Sequence, residues 1–307
     1  MHMTTVFIDG SAGTTGLRIK DRLSGRTDIS LLTLTDEQRK NPAARKEALM
    51  SADISFLCLP DPAAIEAVEL AKDAPGKIID TSTAHRTNDT WAYGFSELSL
   101  MHKEKICSAK YVANPGCHAS GFIASVYPMI QNRILSPDTP LTCYSLTGYS
   151  GGGKKLIAEY EDPLRDPRHD SHRIYALPLK HKHLPEMQKV CGLQSVPVFS
   201  PILGDFYAGM ATSVLLPNVE AKSVWECLMN HYTDSPLISV APFGGDEDVI
   251  YASHLAGKDS MRLIVTGHEK QTMVTALFDN LGKGASGAAI QNMNLLIGID
   301  ETTGLVL

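Results

Sequence analysis

No hydrophobic run approaches the ~20 residues needed to cross a bilayer, and the start, MHMTTVFIDGSAG, has no basic stretch followed by an apolar one. Neither a membrane span nor a secretory leader is expected. The six cysteines (58, 107, 117, 143, 191 and 227) include no CxxC pair. A disulfide framework belongs to short secreted chains, so reduced thiols in a cytoplasmic protein are the expectation. Excess positive charge is missing too: 28 Lys and Arg stand against 34 Asp and Glu, a net charge of −6 with no block of like sign. That argues against nucleic acid as the main partner, because phosphate backbones want a positive field. Small anions stay open, since local groups can hold them whatever the net charge. Internal repeats and low-complexity linkers are absent as well.

What is present is 307 residues, 43% hydrophobic and 20% charged. That is enough for one large or two medium domains with a substantial core and no need of disulfides or metals. Residues 4–8 predict a strand, followed by a glycine turn and by Leu17, Ile19 and Leu23 at helical spacing. Strands are expected at 29–34, 54–59 and 77–80, with helices at 43–50 and 63–72 between them. Short apolar runs alternating with helices imply parallel strands covered on both faces. Residues 141–146, 195–199, 209–216 and 261–268 read as a more antiparallel sheet, and composition changes near 115–120. A final apolar helix is expected over 285–297.

Gly10-x-x-Gly13-x-x-Gly16 sits between the first strand and the first helix, where a dinucleotide fold needs a tight turn. The helix start there offers N–H groups to a pyrophosphate. The spacing departs from GxGxxG because position 12 is Ala, so the context carries the reading. About 20 residues on, Asp36 and Glu37 are placed to hold a ribose hydroxyl, whereas Arg39 and Lys40 could pair with a 2′-phosphate. The sequence leaves both open.

Asn114-Pro115-Gly116-Cys117 precedes an apolar helix expected over 121–130, which puts Cys117 at or near a helix N-terminus. The macrodipole there favours thiolate over thiol, and a thiolate is the strongest nucleophile an ordinary side chain offers at neutral pH. Cys58 and Cys143 fall inside strands and read as core. His169, His172, His181 and His183 lie within fifteen residues, but their spacing matches no zinc signature, and no metal is expected. In Lys180-His181-Lys182-His183-Leu184-Pro185-Glu186 the Pro-Glu pair marks a first helical turn. His183 therefore precedes a helix start, where a neutral, proton-accepting imidazole is favoured. Two further loops suit anions. Asp80-Thr-Ser82-Thr-Ala-His85-Arg86 follows a parallel strand, and Tyr149-Ser150-Gly-Gly-Gly-Lys154 ends in a cation without Walker spacing.

Taken in order, GSAGTTG (10–16), FLCLPDPAA (56–64), DTSTAHR (80–86), NPGC (114–117), GYSGGGKK (148–155), KHKHLPEM (180–187) and KGASGAAIQNMN (283–294) make the chain resemble the shorter class of N-acetyl-gamma-glutamyl-phosphate reductases. That class lies within the aspartate-semialdehyde dehydrogenase group, and the likeness spans nearly the whole chain. GGGK and HKH depart from the GAGR and HRH of the longer class; lysine keeps the cation but cannot clamp an anion bidentately.

The resemblance implies an α/β fold: a Rossmann dinucleotide-binding domain (1–117 plus 283–307) with an inserted α+β catalytic and dimerisation domain (118–282). It implies NADPH-dependent reduction of N-acetylglutamyl 5-phosphate to the semialdehyde and phosphate, a step of arginine biosynthesis, through a thioester on Cys117. His183 would carry the proton beside His181. Substrate would be held by Ser82, Arg86, Asn114, Ser150, His181 and Glu186. NADP would be held by Gly10, Gly13, Thr14, Thr15, Gly16, Pro60, Ser82, Gly284 and Asn292. The protein would form a homodimer or tetramer, with a small-molecule substrate and phosphate as its other partners. The main alternative keeps the chemistry and changes the substrate, as in aspartate-semialdehyde dehydrogenase. A dinucleotide sensor without catalysis would need neither Cys117, nor the two histidines, nor Arg86. A metal-dependent hydrolase falls with the zinc reading.

Overall fold

In the computed structural model, which describes residues 3–245 and 248–307, the chain divides into two units. One is 1–116 with 285–305, the other 117–284 with 306–307. In the first unit β1 (Thr4–Asp9), α1 (Thr14–Leu23), β2 (Ile29–Leu32), α2 (Pro42–Ser51), β3 (Ile54–Leu57), α3 (Asp61–Leu70) and β4 (Lys77–Asp80) alternate. β5 (Ala92–Tyr93), α4 (Leu100–Ser108) and β6 (Tyr111–Ala113) follow. The strands pair in parallel in the order β2-β1-β3-β4-β6-β5. The chain leaves β1 toward β2 on one side and returns to β3 on the other, so the strand order reverses beside the end of β1. That is where open α/β sheets leave a crevice for a ligand.

Strand periodicity explains the two-sided core. Val6 and Ile8 pack with Ile19, Phe56 and Ile79 on one face, while Phe7 turns to Leu49, Leu57 and Ile78 on the other. Each such side chain contributes about 1.5–3 kcal/mol by burial.

The second unit opens with α5 (Cys117–Gln131), then β7 (Thr142–Gly148), α6 (Gly153–Glu161), β8 (Arg173–Ile174), α7 (Leu184–Cys191), β9 (Val198–Gly204) and β10 (Met210–Pro217). α8 (Ala221–Tyr232), β11 (Ile238–Val240), β12 (Met261–His268) and β13 (Gln271–Phe278) complete it. Its sheet runs β11-β12-β13-β10-β7-β9-β8. β7 with β9 and β11 with β12 are parallel, and the remaining pairs are antiparallel. β13 has no counterpart among the strands expected from sequence. β9 spans Val198–Gly204, later than the strand expected at 195–199.

α5 is the spine of this unit. It carries no charge, and every residue from His118 to Met129 is buried, as a helix apolar all round must be. Pro128 within it removes the N–H that would bond the carbonyl of Ala124; Tyr232 Oη donates to that oxygen instead, at 2.8 Å.

The chain then returns to the first unit as α9 (Gly287–Ile297), whose Ile290 and Met293 join the core beside Val6 and Ile79. Lys77 Nζ donates to the carbonyl of Leu296 at 2.8 Å, a cation at the negative end of the helix. Among the described residues no helix is long and apolar enough to cross a membrane.

Candidate active site

The glycine turn is built as its spacing requires. Gly10 has φ +86°, and a Cβ there would lie 2.2 Å from the carbonyl oxygen of Cys58; a Cβ at Gly16 would lie 2.5 Å from the Gly10 oxygen. Both positions exclude any side chain. Gly13 caps α1 without a side-chain hydrogen bond and is exposed, so its missing side chain leaves open backbone at the helix start. The first N–H groups of a helix have no intrahelical acceptor. Thr14 Oγ1, on the first residue of α1, is buried and bonds no described residue. Helix-end N–H groups with a threonine hydroxyl beside them fit a pyrophosphate. Thr15 follows Thr14 on α1, and Pro60 caps α3 at the end of the neighbouring strand.

The loops after β4 and β6 tie their polar groups to one another. Ser82 Oγ donates to the buried Asp80 carboxylate at 2.7 Å, and His85 Nδ1 meets the same carboxylate at 2.6 Å. Arg86 donates from Nε to the carbonyl of Asn114 and from Nη2 to that of Thr81, each at 2.9 Å. Its guanidinium clips the β4 loop to the segment leading into Cys117. Asn114 Nδ2 donates to the Ala285 carbonyl at 3.1 Å and Oδ1 accepts from Asn292. These donors and acceptors shape the first unit; the reason is burial, since Asp80, Ser82, His85, Arg86, Asn114 and Asn292 are each at most 9% exposed and a buried polar group must be satisfied internally.

In the second unit a cavity of about 460 Å³ is lined by Cys117, His118, Arg173, Tyr175, His181, Lys182, His183 and the glycine loop at 151–152. Cys117 is the first residue of α5, so the thiol sits at a positive helix end. Gly284 packs on it: a Cβ at 284 would lie 3.0 Å from Cys117 Cβ. His183 is the N-cap residue of α7, as the Pro-Glu signal predicts. Its backbone N–H donates to His181 Nδ1 at 3.2 Å, and the two rings stand 4.7 Å apart, edge to face. Glu186 is buried in the first turn of α7.

Ser150 is fully buried and its Oγ accepts from Asn280 Nδ2 at 3.0 Å; Gly151 and Gly152 line the cavity.

Three lining residues carried no sequence signal. Arg173 lies on the two-residue strand β8 and Tyr175 just after it, and His118 reads from sequence as the residue after the nucleophile and no more. Arg173 and Lys182 put two cations on a cavity that holds a thiol. His118 is buried and pushed down to about 3, first by loss of solvent and then by the neighbouring His181 and Lys182. It is neutral at any working pH. Burial raises the Tyr175 phenol, with the Cys117 thiolate adding to the effect. Of the other thiols, burial drives Cys58 up to about 12 and raises Cys143 and Cys191 further. Cys107 is exposed.

Two family models match the chain. The semialdehyde dehydrogenase NAD binding domain covers residues 3–108, and the semialdehyde dehydrogenase dimerisation domain covers 117–280. N-acetyl-gamma-glutamyl-phosphate reductase of Sinorhizobium medicae is 46% identical over 305 residues, covering 95% of this chain and 98% of that one. N-acetyl-gamma-glutamyl-phosphate reductase 2 of Pseudomonas putida is 42% identical over 314, covering 99% and 100%. Among solved structures, aspartate semialdehyde dehydrogenase II of Vibrio cholerae complexed with ASA superposes with a TM-score of 0.74 at 15% identity, covering 97% of this chain and 99% of that one. The enzyme of Francisella tularensis gives 0.74 at 11%, covering 96% and 100%. At such identities the likeness is one of fold.

Proposed function

This chain belongs to the N-acetyl-gamma-glutamyl-phosphate reductases of the semialdehyde dehydrogenase family, and on that premise we propose that it reduces N-acetylglutamyl 5-phosphate to N-acetylglutamate 5-semialdehyde and phosphate with NADPH. The observation that carries the reading is Cys117: a thiol at the start of a buried helix, opening on a cavity lined by two cations and two further histidines of the HKH segment. The substrate is an acyl phosphate with a carboxylate, and such a cavity suits it.

The first unit is the cofactor side of this reading. The turn at Gly10, Gly13 and Gly16 with Thr14 and Thr15 would hold the pyrophosphate. Arg39 and Lys20 line a small depression with Asp9, Ser11 and Thr33 beyond β1 and β2; on this reading they would receive the 2′-phosphate. The bound cofactor supplies hydride.

Cys117, as thiolate, attacks the carbonyl carbon; the bond from that carbon to the phosphate oxygen breaks and phosphate leaves, giving a thioester on the sulfur. Once the carbonyl carbon has been reduced, the C–S bond breaks and semialdehyde departs. His183 moves the proton required at the carbonyl oxygen and His181 shares the substrate, in keeping with proton transfer by a positioned base. Arg173 and Lys182, which line the cavity, would take the anionic groups there. Homo-oligomerisation through the second unit and a cytoplasmic setting belong to the same reading.

The test is the reverse reaction of purified protein with N-acetylglutamate semialdehyde, phosphate and NADP or NAD, followed by absorbance of the reduced cofactor. Phosphate-dependent reduction of NADP is the expected result. Turnover of aspartate semialdehyde in its place would overturn the substrate.

A further inference from the structure

A line of hydrogen bonds leads from the second sheet to the cavity. Thr212 Oγ1 on β10 and Ser145 Oγ on β7 are 2.8 Å apart; Ser145 Oγ meets His118 Nδ1 at 2.8 Å; His118 Nε2 meets Tyr175 Oη at 2.8 Å. Thr212, Ser145 and His118 are at most 3% exposed. Tyr175 stands at the other end, in the wall of the cavity that holds Cys117.

A neutral imidazole carries one N–H, so the line can run in only two directions. In one, Tyr175 gives its proton to His118 and offers the cavity only lone pairs. In the other, Thr212 donates to Ser145, Ser145 to Nδ1, and Nε2–H to Tyr175 Oη, which leaves the phenol O–H to donate into the cavity. A thiolate at Cys117 accepts hydrogen bonds and donates none, and so does the carbonyl oxygen on which charge develops during acyl transfer. Both select the second direction.

We propose that His118 is a positioning residue: with its Nε2–H held outward by Ser145 and Thr212, it aims the Tyr175 hydroxyl as a hydrogen-bond donor at the anionic sulfur and oxygen of the reacting centre. The mechanistic half rests on the reductase reading above. The charged and titratable groups facing this line are Cys117, Arg173, His181, Lys182 and His183, and His118 itself stays neutral among them.

The test is a set of variants read in two ways. Tyr175→Phe and His118→Asn each remove the aimed O–H; Asn can still bond Ser145 but does not reach Tyr175. Each is expected to lower turnover in the reverse reaction about 10- to 100-fold, the worth of a hydrogen bond to a charged group. The double variant is expected to be no worse than either alone, because the two act as one unit. His118→Gln places an amide N–H near the former Nε2–H and is expected to recover most of the loss.

Multiplicative losses in the double variant, or a His118→Gln as poor as His118→Asn, overturn the proposal. The second readout needs no substrate: the rate of iodoacetamide alkylation of Cys117 against pH. Equal upward shifts of its midpoint in Tyr175→Phe and His118→Asn, absent in His118→Gln, support the relay even where wild-type protein fails to turn over the acetylated semialdehyde and the reductase reading falls. No shift in either variant overturns the relay while leaving that reading intact.

Discussion

Asn292 Nδ2 donates to Asn114 Oδ1 at 3.1 Å and to the carbonyl of Gly94 at 2.9 Å, joining α9 to residues 178 and 198 positions earlier. Both amide hydrogens are spent within the first unit, and the side chain is 1% exposed. Asn292→Ala would strand two buried acceptors, at about 1–3 kcal/mol for each group left unsatisfied. A drop of that order is expected in urea unfolding at pH 7. A loss of NADP affinity with unchanged stability would place Asn292 against the cofactor instead.

Cys117→Ser should abolish turnover and leave stability near that of wild type, because a serine hydroxyl without its own base is a poor nucleophile. With limiting iodoacetamide at pH 7, Cys117 should be alkylated ahead of the other five thiols. Burial holds Cys58, Cys143 and Cys191 in the unreactive thiol form, and exposed Cys107 lies at the end of α4, away from any helix start. Peptide mapping by mass spectrometry reads the order; first labelling of Cys107 would count against the helix-end argument.

His183→Asn should lower turnover by about 10²- to 10⁴-fold, the usual worth of a positioned base, and remove one limb of the pH–rate profile between pH 6 and 9. His181→Asn should act more on KM. The structure keeps His183 buried at the cap of α7 and leaves His181 more open. Loss of the pH limb in His181→Asn alone would exchange the two roles.

His118 predicts an acid sensitivity independent of activity. In the unfolded chain an imidazole takes a proton near pH 6.5, whereas the buried ring holds out to about 3. Between those values the unfolded state binds more protons, so stability is lost as pH falls through that window. From pH 7 to pH 5 the loss from this one ring is about 2 kcal/mol. His118→Gln should be less sensitive by that amount in paired urea titrations. An identical pH slope in both proteins would show that the ring titrates in the folded state.

Several features could be read from the chain because they are decided within a few residues. Gly16 is required by a clash with the Gly10 carbonyl inside its own turn, and Gly10 by the positive φ of that turn. Cys117 at the head of α5 and His183 at the cap of α7 follow from Gly116 and from Pro185-Glu186. The parallel first sheet follows from a period of apolar runs and helices. β13, paired along its whole length with β10 and β12, is not among the strands that the sequence predicts.

What only the tertiary structure decided is the partner of each polar side chain. Arg86, Asn114, Ser150 and Asn292 sit in motifs that look ligand-facing, and each also bonds a group between 28 and 198 residues away. His118, Arg173 and Tyr175 look ordinary in the sequence and line the cavity. Backbone sterics act over a single turn and can be read from the residues in order. Hydrogen-bond pairing is settled by which surfaces burial brings together, and the local order of residues does not contain that information.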